Sequence, residues 1–116
     1  MVNIDEVRDY RTKMNERIMA SGNLEIQRFF ALDERAFNEG ALPVRTKEML
    51  GLVASLVLRC NGCIFYHVDR CLQEGITLEE LYEVLSIGLI VGGSITIPHI
   101  RYAFEVLEEL ASEEES

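Results

Sequence analysis

The sequence predicts an all-α fold of about six helices in a single domain over residues 1–116. Apolar residues recur at helical spacing along most of the chain, and the runs begin at capping residues or prolines and stop near glycines. No segment alternates polar and apolar residues convincingly with the two-residue period of a strand. A chain of 116 residues can bury one hydrophobic core, so a single domain is expected.

The first two helices are predicted from capping signals. Asn3 and Glu6 form the N-x-x-E pattern of a helix start, and apolar residues follow at helical spacing. The Ser-Gly-Asn segment at 21–23 ends this helix and offers a cap to the next one. The second helix is predicted over 24–38, and Gly40 closes it.

The third and fourth helices are predicted to form a central antiparallel hairpin. The third helix should cover 43–58, with Pro43 at its first position, and the fourth should cover 63–74. The Asn-Gly pair at 61–62 disfavours helix, so we expect the third helix to end there and the chain to reverse near Arg59. The alternative is that this pair is only a flexible connector.

Two further helices complete the prediction. Thr77 and Glu80 form a capping box that opens the fifth helix, and Pro98 lies in the first turn of the sixth. The third and fifth helices are apolar on nearly every side, which in a soluble protein indicates burial on every side. A small domain encloses one such helix more easily than two, so we expect a homo-oligomer.

The charge of the chain argues against two classes of partner. Its net charge is −9, and acidic residues are densest in the C-terminal tail at 111–116, which we expect to be a solvated helix end that fades into disorder. Binding to nucleic acid or to anionic lipid requires a basic surface, so neither partner is expected.

A cytoplasmic location is expected from the apolar segments and from the start of the sequence. The uncharged runs at 49–58 and 84–98 are shorter than the roughly 18 apolar residues that a membrane span needs. The N-terminal segment is charged from its fifth residue and lacks the pattern of a secretory signal. In the cytoplasm, a C-x-x-C pattern is typical of a redox or metal site rather than of a structural disulfide.

The chain has three cysteines, and two of them are spaced to form a disulfide with each other. In a helical turn, Cys60 and Cys63 would have Cα atoms roughly 5–5.5 Å apart, inside the window of about 4.4–6.8 Å for a disulfide. In the first turn of the fourth helix, Cys63 would face unpaired N–H groups and the positive helix end, which favour a thiolate. Cys71 lies about 12 Å further along and is expected to be a small buried apolar residue.

A histidine and a glutamate are placed to act on this pair. His67 follows Cys63 by four residues on the same helix face, which is the pattern of a nucleophile with a base. If the hairpin forms, Glu48 lies opposite His67, where its carboxylate could orient the imidazole and raise its basicity. Without the hairpin, Glu48 would be an ordinary glutamate in a first helical turn.

These residues resemble a known signature. Glu48, eleven intervening residues, Cys60-x-x-Cys63, three more residues and His67 are similar to the pattern of the alkylhydroperoxidase D branch of the carboxymuconolactone decarboxylase family. The resemblance covers 42–110, the expected core of the domain, and includes a GG-x4-P-H stretch. It implies an all-α, alkylhydroperoxidase D-like fold that assembles as a homo-oligomer, commonly a trimer or hexamer, and a thiol peroxidase activity.

The resemblance also implies roles for individual residues. By position, Cys63 is the thiol that attacks the peroxide, Cys60 is the resolving thiol, and Glu48 and His67 form a proton relay. The cycle then needs a hydroperoxide substrate and a dithiol electron donor, such as a lipoyl group or a thioredoxin-like protein, and no cofactor. Gly62 departs from the pattern, since the best-known peroxidase members carry a second histidine there.

Three other functions are alternatives. A disulfide oxidoreductase or redox sensor would use the same pair without reducing peroxide at a useful rate, while the decarboxylase branch lacks the pair and its activity is least favoured. A zinc site would need four converging ligands, but Cys60, Cys63, His67 and Cys71 extend over about 16 Å of helix. Only His99 remains as a distant donor, so no metal is expected.

Three further polar residues belong to this part of the prediction. His99 follows a proline in the first turn of the last helix and is expected to be a polar residue at the surface or at an interface. Tyr66 and Arg59 flank the cysteine pair and could line a pocket.

Overall fold

The computed structural model describes the backbone of residues 2–115 and the side chains of residues 2–113. Within that range the chain forms six α-helices and one short 3₁₀ turn, and no strand. The predicted all-α fold is therefore confirmed. The helices are α1 Ile4–Ala20, α2 Leu24–Ala36, α3 Val44–Val57, α4 Asn61–Gln73, α5 Leu78–Gly92 and α6 Ile97–Glu115, with the 3₁₀ turn at Ser94–Thr96.

Three helices begin at side-chain caps that the sequence predicts. The Asn3 side chain accepts a hydrogen bond from the Glu6 backbone N–H, and Asn23 caps α2 in the same way. At the start of α5, Thr77 and Glu80 form both halves of the capping box. Each cap satisfies backbone N–H groups that a helix start otherwise leaves unpaired, so these boundaries follow from local chemistry.

The predicted boundaries near positions 38 and 43 are wrong by one or two residues. α2 ends at Ala36 rather than at Asn38, and Phe37 is its C-cap. Pro43 precedes α3 as its N-cap rather than occupying the first helical position, since its backbone is extended at φ −70° and ψ 159°. Differences of this size are usual at helix ends.

The acidic tail at 111–116 was expected to fade into disorder, but α6 remains helical through position 115. Leu110 is buried in the core, and Arg8 of α1 forms an ion pair of 2.8 Å with Glu113. These contacts hold the beginning of the tail against the domain, which a run of like charges alone does not predict. Ser116 lies outside the described residues.

The core lies between four helices, with the α3–α4 hairpin at its centre. α5 packs on α3, and α6 packs on α4. Gly88 of α5 allows one of these contacts to be close, because a Cβ there would lie 2.6 Å from a methyl carbon of Leu56 on α3. The apolar side chains that are at most 2% exposed are Leu52, Leu56, Ile64, Phe65, Val68, Cys71, Ile76, Leu81, Leu85, Ala103, Val106, Leu107 and Leu110.

The helices at the edges of the domain are less buried. No residue of α2 is buried, and α5 carries large apolar side chains on its outer side. Among the described residues, no helix combines the length and the apolar character needed to cross a membrane.

Candidate active site

The chain reverses between α3 and α4 through a turn centred on Arg59. The N–H groups of Arg59 and Cys60 donate to the carbonyls of Leu56 and Ser55, both at 3.0 Å, which is the pattern of a Schellman motif. Arg59 takes the left-handed position of this motif, at φ 60°, where glycine is usual. The reversal near Arg59 is confirmed, but the prediction that the Asn-Gly pair forms the break is wrong.

The Asn-Gly pair belongs to the first turn of α4 because a cysteine caps that helix. Cys60 is the N-cap, and its Sγ accepts a hydrogen bond of 3.2 Å from the backbone N–H of Cys63. Helix α4 therefore begins at Asn61, two residues earlier than predicted. Asparagine and glycine destabilise a helix most in its interior and less in its first turn. Here the cap offsets this cost.

The two cysteines form a disulfide with a Cα–Cα distance of 5.3 Å, so the predicted spacing is confirmed. Cys63 lies in the first turn of α4 and is exposed, while Cys60 is half-buried. One detail differs from the expectation, since the N–H group at the helix start bonds the sulfur of Cys60 rather than that of Cys63. The positive helix end thus acts most directly on the Cys60 sulfur.

Glu48 and His67 meet across the hairpin. Glu48 Oε1 lies 2.8 Å from His67 Nδ1, and the Glu48 side chain is only 2% exposed. An ionised carboxylate can only accept, so Nδ1 donates and Nε2 is the nitrogen left for proton exchange. The predicted contact is present, and it places an oriented imidazole one helical turn after Cys63.

Two residues that the sequence analysis missed fix the position of the His67 ring. Gly51 of α3 lies directly against the imidazole, because a Cβ built there would be 2.6 to 2.9 Å from three of its ring atoms. Phe37, at the end of α2, stacks on the ring with centroids 5.4 Å apart. Tyr66, which was predicted to flank the site, packs on the ring in a T-shaped arrangement with centroids 5.1 Å apart. A glycine inside a helix was the available signal, since its cost suggests a packing role.

A third missed residue, Arg70, contacts the other oxygen of the carboxylate. Its Nε lies 3.5 Å from Glu48 Oε2. Arg70 follows His67 by three residues, so both side chains lie on the face of α4 that meets α3. That spacing was visible in the sequence, and it could have identified Arg70 once Glu48 was placed opposite His67.

A cavity of about 640 Å³ lies beside the carboxylate, between the α1–α2 pair and the α3–α4 hairpin. Its walls include Phe37, Glu48, Tyr66 and Arg70, but not the cysteines or His67. Burial, then the negative charge of Glu48, raises the pKa of the Tyr66 hydroxyl, and the positive charge of Arg70 opposes this rise. The cavity therefore reaches the carboxylate end of the Glu48–His67 pair, while the exposed cysteine lies outside it.

The third cysteine takes no part in this arrangement. Cys71 is fully buried, as predicted, and its burial, followed by the charge of Glu48, raises the pKa of its thiol to about 12. Because the thiolate is the reactive form, Cys71 is chemically quiet at neutral pH. Within the described residues, no group of three or more His, Cys, Asp or Glu side chains is arranged to hold a metal ion.

His99 lies closer to the cysteine pair than the sequence analysis expected. It is half-buried, and its Nδ1 is 2.7 Å from Oδ1 of Asn61, the residue after Cys60. The 3₁₀ turn before α6 brings it there, and a Cβ at Gly92 would collide with Thr96 of this turn at 2.6 Å. The GG-x4-P-H stretch therefore packs beside the redox turn.

Comparisons with known proteins agree on one family. The carboxymuconolactone decarboxylase family model matches residues 26–109. An uncharacterised protein encoded in the cox locus of Paracoccus denitrificans is 32% identical over 82 residues, which cover 71% of this chain and 74% of that protein. An uncharacterised protein of Cupriavidus necator is 28% identical over 99 residues, which cover 83% and 85% of the two chains.

Solved structures give the same result. A carboxymuconolactone decarboxylase family protein of Thermotoga maritima, for which a part in the antioxidative response has been suggested, superimposes with a TM-score of 0.91 at 50% identity, over 95% of this chain and 93% of that one. A family member from Legionella pneumophila gives 0.83 at 25% identity, over 91% and 95% of the two chains. As the sequence predicts, the chain belongs to the carboxymuconolactone decarboxylase family.

Proposed function

We propose that this protein is a thiol peroxidase that reduces hydroperoxides through the Cys60–Cys63 pair. The observation that carries the proposal is the arrangement around Cys63. This exposed thiol can form a disulfide with Cys60, and it lies one helical turn before an imidazole held by a buried carboxylate at 2.8 Å. The suggested antioxidative part of the Thermotoga maritima relative supports the same chemistry.

The first step is the attack of Cys63 on the peroxide. His67, oriented by Glu48, takes the thiol proton at Nε2, directly or through water. The thiolate attacks the terminal peroxide oxygen, so that an S–O bond forms while the O–O bond breaks. The released alkoxide takes a proton from His67 and leaves as an alcohol. Cys63 is now a sulfenic acid, and the peroxide has received two electrons.

The second step forms the disulfide, and the third restores the thiols. Cys60 attacks the sulfenic sulfur, an S–S bond forms and water leaves. A dithiol donor, a lipoyl group or a thioredoxin-like protein, then attacks the exposed Cys63 sulfur. Cys60 leaves as a thiolate, which the N–H group at the helix start stabilises. The second thiol of the donor then displaces Cys63 from the mixed disulfide, so both cysteines are reduced and the donor leaves as a disulfide. A cytoplasmic location suits this cycle, because such donors are kept reduced there.

A single-turnover experiment tests this proposal. The protein is reduced, freed of reductant and mixed in a stopped-flow instrument with hydrogen peroxide or an alkyl hydroperoxide in excess. Each chain is expected to consume one peroxide rapidly, and thiol titration in denaturant should then fall from the three cysteines of the reduced chain to one. If the thiols stay reduced, or oxidise no faster than free cysteine, the peroxidase proposal is wrong.

One observation favours a second candidate function, disulfide exchange without peroxide reduction. The helix start bonds the sulfur of Cys60, and such a bond makes Cys60 a good leaving group in thiol–disulfide exchange whatever the oxidant. In that case, the reduced pair would transfer two electrons to a protein or lipoyl disulfide. Turnover with those disulfides, together with inertness to hydroperoxides, would favour this candidate.

We also propose that the protein works as a homo-oligomer, a trimer or hexamer as the family resemblance implies. Ile87, Ile90 and Val91 lie on one face of α5 and are 56%, 82% and 69% exposed in the single chain. Three large apolar residues on one helix face form a patch typical of protein–protein contacts. A second copy would complete the burial that the apolar composition of α5 requires.

The substitution Ile90→Glu is expected to reduce the molar mass to that of a smaller assembly or a monomer, because it places a charge in the centre of this patch. Light scattering coupled to size exclusion measures this mass directly. Ser112→Glu, at an exposed position of α6, is the matched control and should leave the mass unchanged. An unchanged mass in Ile90→Glu would show that the patch is not the interface.

A further inference from the structure

Arg70 contacts the buried end of the Glu48–His67 pair. One carboxylate oxygen of Glu48 binds His67 Nδ1 at 2.8 Å, and the other lies 3.5 Å from Arg70 Nε. The carboxylate thus bridges an imidazole and a guanidinium. Arg70 stands beside the cavity with its side chain 27% exposed, whereas the carboxylate is almost completely buried.

The guanidinium is held in this position by its own helix. Its Nη1 donates to Gln73 Oε1 at 2.8 Å, and its Nη2 donates to Glu74 Oε2 at 3.1 Å. Both partners lie within one helical turn of Arg70, at i+3 and i+4. These bonds hold the guanidinium by its two terminal nitrogens, while Nε lies 3.5 Å from Glu48 Oε2.

The guanidinium and the imidazole share one buried carboxylate, with one partner on each oxygen. The fixed positive charge of Arg70 opposes a second positive charge on the imidazole. Without Arg70, the carboxylate would interact with His67 alone, so the imidazole would hold a proton more tightly and return it less readily, which suits an acid–base catalyst less well.

We propose that Arg70 is a positioning residue, which shares the Glu48 carboxylate with His67 and lowers the pH at which the imidazole takes up its proton. The proposal rests on the proposed function for its catalytic meaning, but its physical claim concerns the imidazole alone. Arg70 thus becomes a fifth residue of the site, beside Glu48, Cys60, Cys63 and His67. It acts through Glu48 and does not touch either sulfur or the peroxide.

Other charged side chains face the cavity beside Glu48 and Arg70. Arg11 of α1 lies over the Tyr66 ring at 5.0 Å, and Asp33 and Glu34 of α2 stand across the cavity with Glu74 of α4. Of the charged side chains that the structure describes, Arg70 is the cation paired with Glu48. Cys63 adds no charge when the pair is oxidised, because a disulfide does not titrate.

The test is an NMR titration of the histidine imidazoles in the oxidised protein. The chain has two histidines, so His99→Asn assigns the two signals. Arg70→Gln keeps a hydrogen-bond donor of similar shape but removes the charge. The His67 signal is then expected to titrate about one pH unit higher than in the parent, as is usual for the loss of a nearby cation. Arg70→Lys, which keeps the charge, should recover at least half of this shift.

Arg28→Gln is the matched control for the loss of one positive charge. Arg28 is exposed on α2 and does not line the cavity, so Arg28→Gln should not change the pH at which the His67 signal titrates. An unchanged titration in a folded Arg70→Gln protein would overturn the proposal, and so would an equal shift in Arg70→Lys or in Arg28→Gln.

This readout separates the inference from the proposed function. The titration needs no peroxide and no electron donor, so it can succeed in a protein that proves inert to hydroperoxides. Conversely, if the protein reduces peroxides but Arg70→Gln leaves the imidazole titration unchanged, the proposed function is supported and the role proposed for Arg70 is wrong.

Discussion

Cys63→Ser is expected to lose peroxide consumption by on the order of 10³-fold or more in its second-order rate constant, as is usual when a nucleophile is removed. A serine hydroxyl does not ionise near neutral pH, and an imidazole one helical turn away cannot replace the intrinsic reactivity of a thiolate. Stopped-flow measurement with the reduced variant and an excess of hydroperoxide gives this rate directly.

The second cysteine gives a contrasting result. Cys60→Ser should still consume one peroxide, because Cys63 and the Glu48–His67 pair remain, but the product should stop at the sulfenic acid of Cys63. A sulfenic acid reagent followed by mass spectrometry identifies this product. If the two variants behave the other way round, Cys60 is the attacking thiol, as its hydrogen bond to the helix start would then explain.

Cys71→Ala is the control for the loss of a cysteine as such. Cys71 is buried, and its raised pKa keeps it a thiol at neutral pH. The variant should keep the parental rate, provided that circular dichroism shows a native fold. A loss of rate comparable to that of Cys63→Ser would contradict the assignment of the reaction to the exposed pair.

The site could be predicted from sequence to the extent that it depends on helix geometry. Glu48 lies eleven residues before Arg59 and His67 lies eight after it, so a reversal at Arg59 places the two side chains opposite each other. That argument needs only the rise of a helix and the direction of the chain. The pairing of Cys60 with Cys63 follows from the same geometry, and both contacts are present.

The local structure of the redox turn could not be predicted in the same way. Propensity favoured a break at the Asn-Gly pair, but Arg59, two residues before the pair, adopts the left-handed conformation, and the Cys60 sulfur caps α4. Propensity is a weak prior, and a single capping bond is enough to override it. A sulfur cap has no clear sequence signal, because cysteine is not among the usual N-cap residues.

Residues that reach the site from elsewhere in the fold were also missed. Phe37 contacts His67 only because α2 lies beside the hairpin, and helix packing of this kind leaves no periodic pattern in the sequence. Gly51 did leave a signal, since an interior glycine costs a helix about 1 kcal/mol relative to alanine. The structure gives the reason for it, which is the imidazole that lies against its Cα.

Gly51→Ala is therefore expected to reduce the rate of peroxide consumption by about 100-fold, the lower part of the range for general acid–base catalysis. The new Cβ would lie 2.6 Å from Cε1 of His67, so the ring must move. Phe37 and Tyr66 contact the same ring and limit where it can go. A displaced imidazole loses its 2.8 Å contact with Glu48, and with it the orientation of Nε2.

The stability of the variant should change much less than its rate. Alanine gains about 1 kcal/mol of helix propensity over glycine, and overpacking costs about 1–3 kcal/mol. The net loss is then at most about 2 kcal/mol, so the protein should remain folded, with a modest decrease in Tm. Thermal unfolding monitored by circular dichroism measures the stability, and stopped-flow kinetics at pH 7 measure the rate.

Gly62→Ala is the matched control, since it makes the same change beside the cysteines rather than beside the imidazole. Apart from its chain neighbours and the backbone of its own helix, a Cβ at Gly62 would meet no atom within 4 Å. The φ of Gly62 is not positive, so the variant should keep the parental rate. If Gly51→Ala keeps that rate as well, the ring position does not control the chemistry. If the rate of peroxide consumption falls equally in both variants, the decrease does not arise from the contact with His67. Only a selective loss in Gly51→Ala shows that catalysis depends on where α3 places the imidazole.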